Sequence, residues 1–183
     1  MIRWLLIIMC LFAQVHADDK VNNPADSQTE EVGFTFGPPV QTAAWERPPV
    51  VRICRGAPVS ETRVIKAVNY WKKLGYNFSY VIDDNSILGC ARKPNWGEIT
   101  ISLIDNTFIE PNLAMTRVYK NTETQTIKAA TIYIKSDSAT KERVLEHEIG
   151  HALGWKHHRK KYHIMHPEWQ HGGHDATGLK VKN

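Results

Sequence analysis

Glu146–His158 reads EHEIGHALGWKHH, thirteen residues that hold four histidines and two glutamates. At about 3.6 residues per helical turn, His147 and His151 stand four apart and project from one face, one turn above the other. Two imidazoles so placed can reach one ion. Glu148, next to the first, sets a carboxylate beside that ion, where it can act as a general base toward water. Glu146 lacks this spacing and is expected to be exposed or to lie behind the ligands. Gly154 follows His151 by three residues, where a helix can end in a left-handed conformation that glycine adopts cheaply, and the turned chain can bring back His157. Three neutral imidazoles are the donor set of a tetrahedral zinc whose fourth position stays open, as hydrolytic sites require.

Working outward, KERVLEHEIGHAL reads as a helix with Thr140 or Ser138 as its cap. Upstream, LAMTRVY and TIKAATIYIK flank the polar KNTETQ as a hairpin, and YNFSYVI and GEITISLI alternate as strands. VVRICRG, from Val50, is a β-branched run ended by Gly56. Ser60 caps a helix over ETRVIKAVNYWKKLG, in which Val64, Ala67, Val68, Trp71 and Leu74 recur at helical spacing. The stripe of Ile65, Val68 and Trp71 is expected in the core. The order of elements predicts an α+β domain, a mixed twisted sheet covered by two helices and followed by a small irregular C-terminal region.

A chain of 183 residues, 42% hydrophobic, supports one domain with a tail. Residues 1–17 read as a secretory signal, with Arg3, the apolar run Trp4–Phe12 and Val15-His16-Ala17 at the cleavage end. Residues 18–49 read as a mobile leader or short pro-segment with Phe34 and Phe36 as docking points, and 50–183 as the folded domain. Beyond Cys10, Cys54 and Cys90 remain, either paired in an oxidising compartment or as separate buried thiols. The net charge of +4, or +3 without Arg3, is dispersed apart from Lys156–Lys161, so no nucleic-acid footprint is expected.

HEIGHALGWKH resembles the extended zinc signature of the metzincin metalloproteases, HExxHxxGxxH, and IMHP resembles their Met-turn, with Met165 in place. The spacing from His157 to Met165, and Pro167 after it, are most similar to the matrixins. The resemblance implies a secreted zinc-dependent endopeptidase, extracellular or periplasmic. It assigns His147, His151 and His157 to zinc, Glu148 to catalysis and Met165 to an apolar floor beneath the ligands. It also implies that LAMTRVY is an exposed sheet edge, along which a peptide or protein substrate lies as an added strand. A monomer without a membrane span in the mature chain is expected.

Three features depart from the matrixin pattern. His158 stands where a small hydroxyl residue is usual. Residues 105–137 contain no histidine for a second, structural zinc, and the leader has no cysteine for a cysteine-switch latency. Calcium has no visible ligand set. Alternatives remain for the site itself: Glu168 as third ligand, as in the gluzincins; His158 or His163 closing a structural zinc site; or a non-catalytic binding module on the same scaffold. His166, and His171 with His174 in the tail, read as surface side chains.

Overall fold

A computed structural model of the chain describes residues 37–86, 89–90, 95–103 and 113–181. The expected signal and residues 18–36 of the leader, with Phe34 and Phe36, lie outside the described residues.

Among the described residues nine short elements follow one another: β1 (Ala44–Trp45), β2 (Val50–Cys54), α1 (Glu61–Lys72), β3 (Val81–Asp84), β4 (Glu98–Leu103), β5 (Ala114–Asn121), β6 (Thr126–Ile134), α2 (Val144–Ala152) and a 3-10 turn, η1 (Trp169–His171). The fold is α+β. In the sheet, β3, β2, β4 and β6 run parallel in that spatial order, and β1 pairs in parallel with the first two residues of β6. β5 returns antiparallel along the other side of β6, with a bulge between Tyr119 and Lys120. The hairpin read around KNTETQ is this β5–β6 pair. Strand β6 is almost wholly buried, as expected of an interior strand between partners on both sides.

The capping hydroxyl of Ser60 accepts the Arg63 N–H, and Val64, Ala67, Val68 and Trp71 form the buried stripe of α1. They join Val51 and Ile53, Ile99 and Ile101, Ile132, Leu145 and Ile149 in a single core cluster between helices and sheet. Ile65 does not belong to it. One residue beyond Val64, it is turned about 100° away from the stripe and is 39% exposed. On the opposite face of the sheet the Arg52 guanidinium binds both oxygens of Glu98, at 2.7 Å each, and Asp84 at 2.6 Å. These carboxylates hold Arg52 well above its ordinary pKa.

Three boundaries differ from expectation. The strand read over YNFSYVI begins only at Val81, because Tyr76 and Phe78 serve packing instead. Phe78 is buried, and the Tyr76 hydroxyl accepts Trp155 Nε1–H and donates to the Leu179 carbonyl. Helix α2 starts at Val144 after a left-handed Arg143, φ 71°, with no side-chain cap; the Ser138 hydroxyl is spent on Asp137. Finally, the folded region begins before Val50. Residues 37–45 lie against the end of α2, with Gln41 bridged to Trp155 and Trp45 Nε1 donating to the Ala152 carbonyl at 2.8 Å.

Cys54, at the end of β2, is disulfide-bonded to Cys90. No helix among the described residues is long and apolar enough to cross a membrane. With a sequence separation of 36 between the two cysteines, the chain-entropy model gives a stabilisation of about 4 kcal/mol. Urea denaturation of Cys54→Ala/Cys90→Ala should therefore show a loss approaching that size, and an unchanged midpoint would contradict it.

Candidate metal centre

Helix α2 carries His147 and His151 on one face, and its end delivers His157. The Gly154 N–H bonds the His151 carbonyl and the Trp155 N–H the Gly150 carbonyl, with Gly154 at φ 92° between them. This is the paired C-terminal closure of a helix, and it requires the left-handed residue that the sequence supplies. The reversal is also tight, since a Cβ on Gly154 would collide with the backbone of Ala43.

The three imidazoles then face one another. His151 Nε2 lies 3.0 Å from His147 Nε2 and 3.1 Å from His157 Nε2. Their outer nitrogens explain the orientation of two of the rings: His147 Nδ1 meets the Ile164 carbonyl at 2.7 Å and His151 Nδ1 the Trp155 carbonyl at 2.8 Å. A carbonyl only accepts, so both Nδ1 atoms carry protons, and in a neutral ring Nε2 is left as a bare lone pair. Burial, reinforced by His157, holds His147 down at about 4, and burial with His147 and His157 holds His151 well below its ordinary value. Both rings are therefore neutral at pH 7. Bare nitrogens at this separation repel one another unless a cation stands between them. Four ligands of a tetrahedral zinc sit about 3.3 Å apart, so the two separations from His151 fit such an ion to within a few tenths of an ångström, and all three donor atoms lie within 4.8 Å of one another.

His147, His151 and His157 form the one group among the described residues whose ligand atoms converge in this way. The cluster has the composition of a zinc site built on an HExxH…H pattern. No family model matches the chain, and no curated protein sequence does.

The remaining sequence candidates go elsewhere. Glu168 pairs with His171 at 2.9 Å on the surface, and His174 with Glu142 at 3.0 Å. His163 receives the Met165 N–H on Nδ1 and turns Nε2 to the Thr177 carbonyl. His158 points Nε2 at the Gly37 carbonyl, and its ring lies 4.5 Å from that of His163. His166, read from the sequence as a surface side chain, is instead buried, and its Nδ1 receives the Glu168 N–H. Among the described residues, neither Glu168 nor a fourth histidine joins the three converging rings.

Glu148 is 7% exposed, and its Oε2 accepts a 2.6 Å hydrogen bond from the Thr116 hydroxyl on β5. Burial pushes its carboxyl up to about 7, against the opposing pull of that hydroxyl. Met165 is fully buried against Gly150, where an added Cβ would run into its sulfur and into the Trp71 ring. Glu146 is neither exposed nor near the rings: it is 4% exposed and forms a two-pronged pair with Arg63 at 2.6 and 2.8 Å. Trp71 Nε1 donates to the Glu146 carbonyl.

Sequence reasoning did not find Thr116, Arg63 or the role of Gly150. Thr116 sits in an ordinary β-branched strand pattern with nothing local to mark it. Gly150 was readable in principle, because a glycine inside a helix weakens it unless something approaches closely.

Two outcomes follow from this geometry. The Glu148 carboxyl keeps its proton to about 7 in the fold but only to about 4.5 when unfolded. Its ionisation thus costs the fold nothing below the lower value and most above the higher one. In zinc-free protein, Glu148→Gln should raise the melting temperature above pH 7, by an amount equivalent to roughly 1–3 kcal/mol, and leave it unchanged at pH 4; the reverse pattern would contradict the burial argument. Gly154→Ala should destabilise by more than about 2 kcal/mol. Gly97→Ala, equally left-handed but facing open space, should lose only about 1 kcal/mol, and chemical denaturation of the pair separates collision from conformational strain.

Proposed function

We propose that the chain is a zinc-dependent endopeptidase of the metzincin type, similar to a compact matrixin catalytic domain. The observation that carries this is the convergence of three imidazole nitrogens, two with their tautomers set by backbone carbonyls, one residue away from a buried carboxylate. An open fourth position is what separates a catalytic zinc site from a structural one, and no fourth protein ligand joins the group among the described residues.

In this reading His147, His151 and His157 hold the ion, which when bound supplies Lewis acidity toward water and a peptide carbonyl. Glu148 takes the proton of the attacking water and returns it to the departing amine. A buried carboxyl beside the ion is suited to both transfers, since it can accept a proton from water and pass it on. The Thr116 hydroxyl holds the carboxylate in one orientation. Met165, pressed on Gly150, keeps the helix and the loop after His157 in register. Among the described strands β5 pairs with β6 alone, and its other edge is the surface on which an extended peptide substrate would lie, antiparallel, with Thr116 at its centre. The Cys54–Cys90 bond supports residence in an oxidising compartment, the extracellular space or the periplasm.

The test is digestion of a diverse peptide library, read by mass spectrometry, with zinc quantified alongside. The wild-type chain should cleave and a chelator should abolish cleavage. Glu148→Ala should keep its zinc and lose at least about a hundredfold in rate, whereas His151→Ala should lose both. Undiminished cleavage by Glu148→Ala would sink the mechanism, and one bound zinc with no cleavage would favour a binding module built on the zinc scaffold.

A further inference from the structure

The loop that delivers His157 is gripped by a segment far away in sequence. Gln41 Nε2 donates to the Leu153 carbonyl at 2.8 Å, and the Thr42 N–H to the Gly154 carbonyl at 2.9 Å. Trp45 Nε1 donates to the Ala152 carbonyl, so three successive carbonyls at the end of α2 receive partners from residues 41–45. The orphan carbonyls of a helix end need such partners. Further along, the Lys156 N–H donates to the Val40 carbonyl at 3.0 Å, and the His158 ring reaches the Gly37 carbonyl at 3.0 Å.

His157 is thereby bracketed. The residue before it is tied by its N–H to Val40, and the residue after it is tied by its N–H to the Met165 carbonyl at 2.9 Å and by its ring to Gly37. His147 and His151 stand on a helical turn that sets their separation, whereas His157 lies past the end of α2, on backbone that these bonds hold on either side. Close approach is built in on the partner side as well. Gly154 leaves room for Ala43, and Gly178 for Pro39, where an added Cβ would come within 2.8 Å of the proline ring.

We propose that residues 37–45 are a clasp that positions the third histidine and so sets how firmly the centre retains its metal. This rests on the metal-centre reading above. The clasp lies on the backbone side of the loop and is a positioning device, not a set of ligands. Loosening it should leave the first two donors in place while the third samples other positions, which raises the rate of metal loss more than it disturbs the fold.

The experiment loads the full chain with zinc and follows its transfer to a chromophoric chelator at a temperature where the zinc-free chain is folded by circular dichroism. Gln41→Ala removes one clasp bond, and Trp45→Phe removes another while keeping an aromatic ring. Each should release zinc about three- to tenfold faster than wild type, the size expected for one lost hydrogen bond. Lys128→Ala serves as the control. It breaks the exposed 3.2 Å pair with Glu46, beside the clasp but not touching the loop, and should release zinc at the wild-type rate. Unchanged release in both clasp variants, or the same acceleration in the control, would overturn the proposal. A wild-type chain that takes up no zinc at all would overturn the metal-centre reading, and the clasp's role with it.

Discussion

Two ring N–H groups govern the arrangement of this molecule. His147 and His151 each give the Nδ1 proton to a backbone carbonyl, and both carbonyls belong to chain beyond α2: Ile164 and Trp155. Without those acceptors either ring could turn or change tautomer, and the bare nitrogens would no longer face a common point. The requirement passes outward from there. The Trp155 carbonyl is where it is because Gly154 reverses the chain, and the Ile164 N–H is held by the Asp175 carbonyl at 2.8 Å. Met165 can pack against α2 because Gly150 has no side chain.

The centre works against the stability of its own scaffold. Bare nitrogens crowded together and a buried carboxyl are each unfavourable in the metal-free fold, and the compensation lies elsewhere. The Arg63–Glu146 pair and the Trp71 bond to the Glu146 carbonyl lock α2 onto α1 on the side away from the rings. Through these bonds α1, which contributes no ligand, holds the ligand helix in place.

Much of this could be read from the chain. Helical spacing located α1 by its buried stripe, and β-branched or alternating runs located β2, β4 and the β5–β6 hairpin, although β6 itself is almost wholly buried. The spacing of His147, His151, Gly154 and His157 anticipated the helix, its left-handed end and the convergence of the rings, because all are local consequences of helical geometry. What escaped was decided by partners distant in sequence. Phe78 alternates with Tyr80 and Ile82 like a strand residue but is buried in the core ahead of β3, and the Tyr76 hydroxyl is taken up by the Leu179 carbonyl of the C-terminal tail. Glu146 has no local mark of its pairing with Arg63, 83 residues away. Residues 37–45 have the composition of a loose leader, yet their backbone is taken up by the end of α2.

That last feature also bears on how the molecule comes to be made. His147 and His151 meet within one helical turn, a contact that forms as fast as the helix does. His157 joins them through bonds between residues 107 to 121 positions apart, such as Trp45 to Ala152 and Gly37 to His158. Contacts of that span are slow to close, because chain entropy is lost before any attraction is gained. Maturation of the third donor is therefore tied to closure of nearly the whole domain, and a ribosome that has released only the first hundred residues has supplied the clasp with nothing to hold.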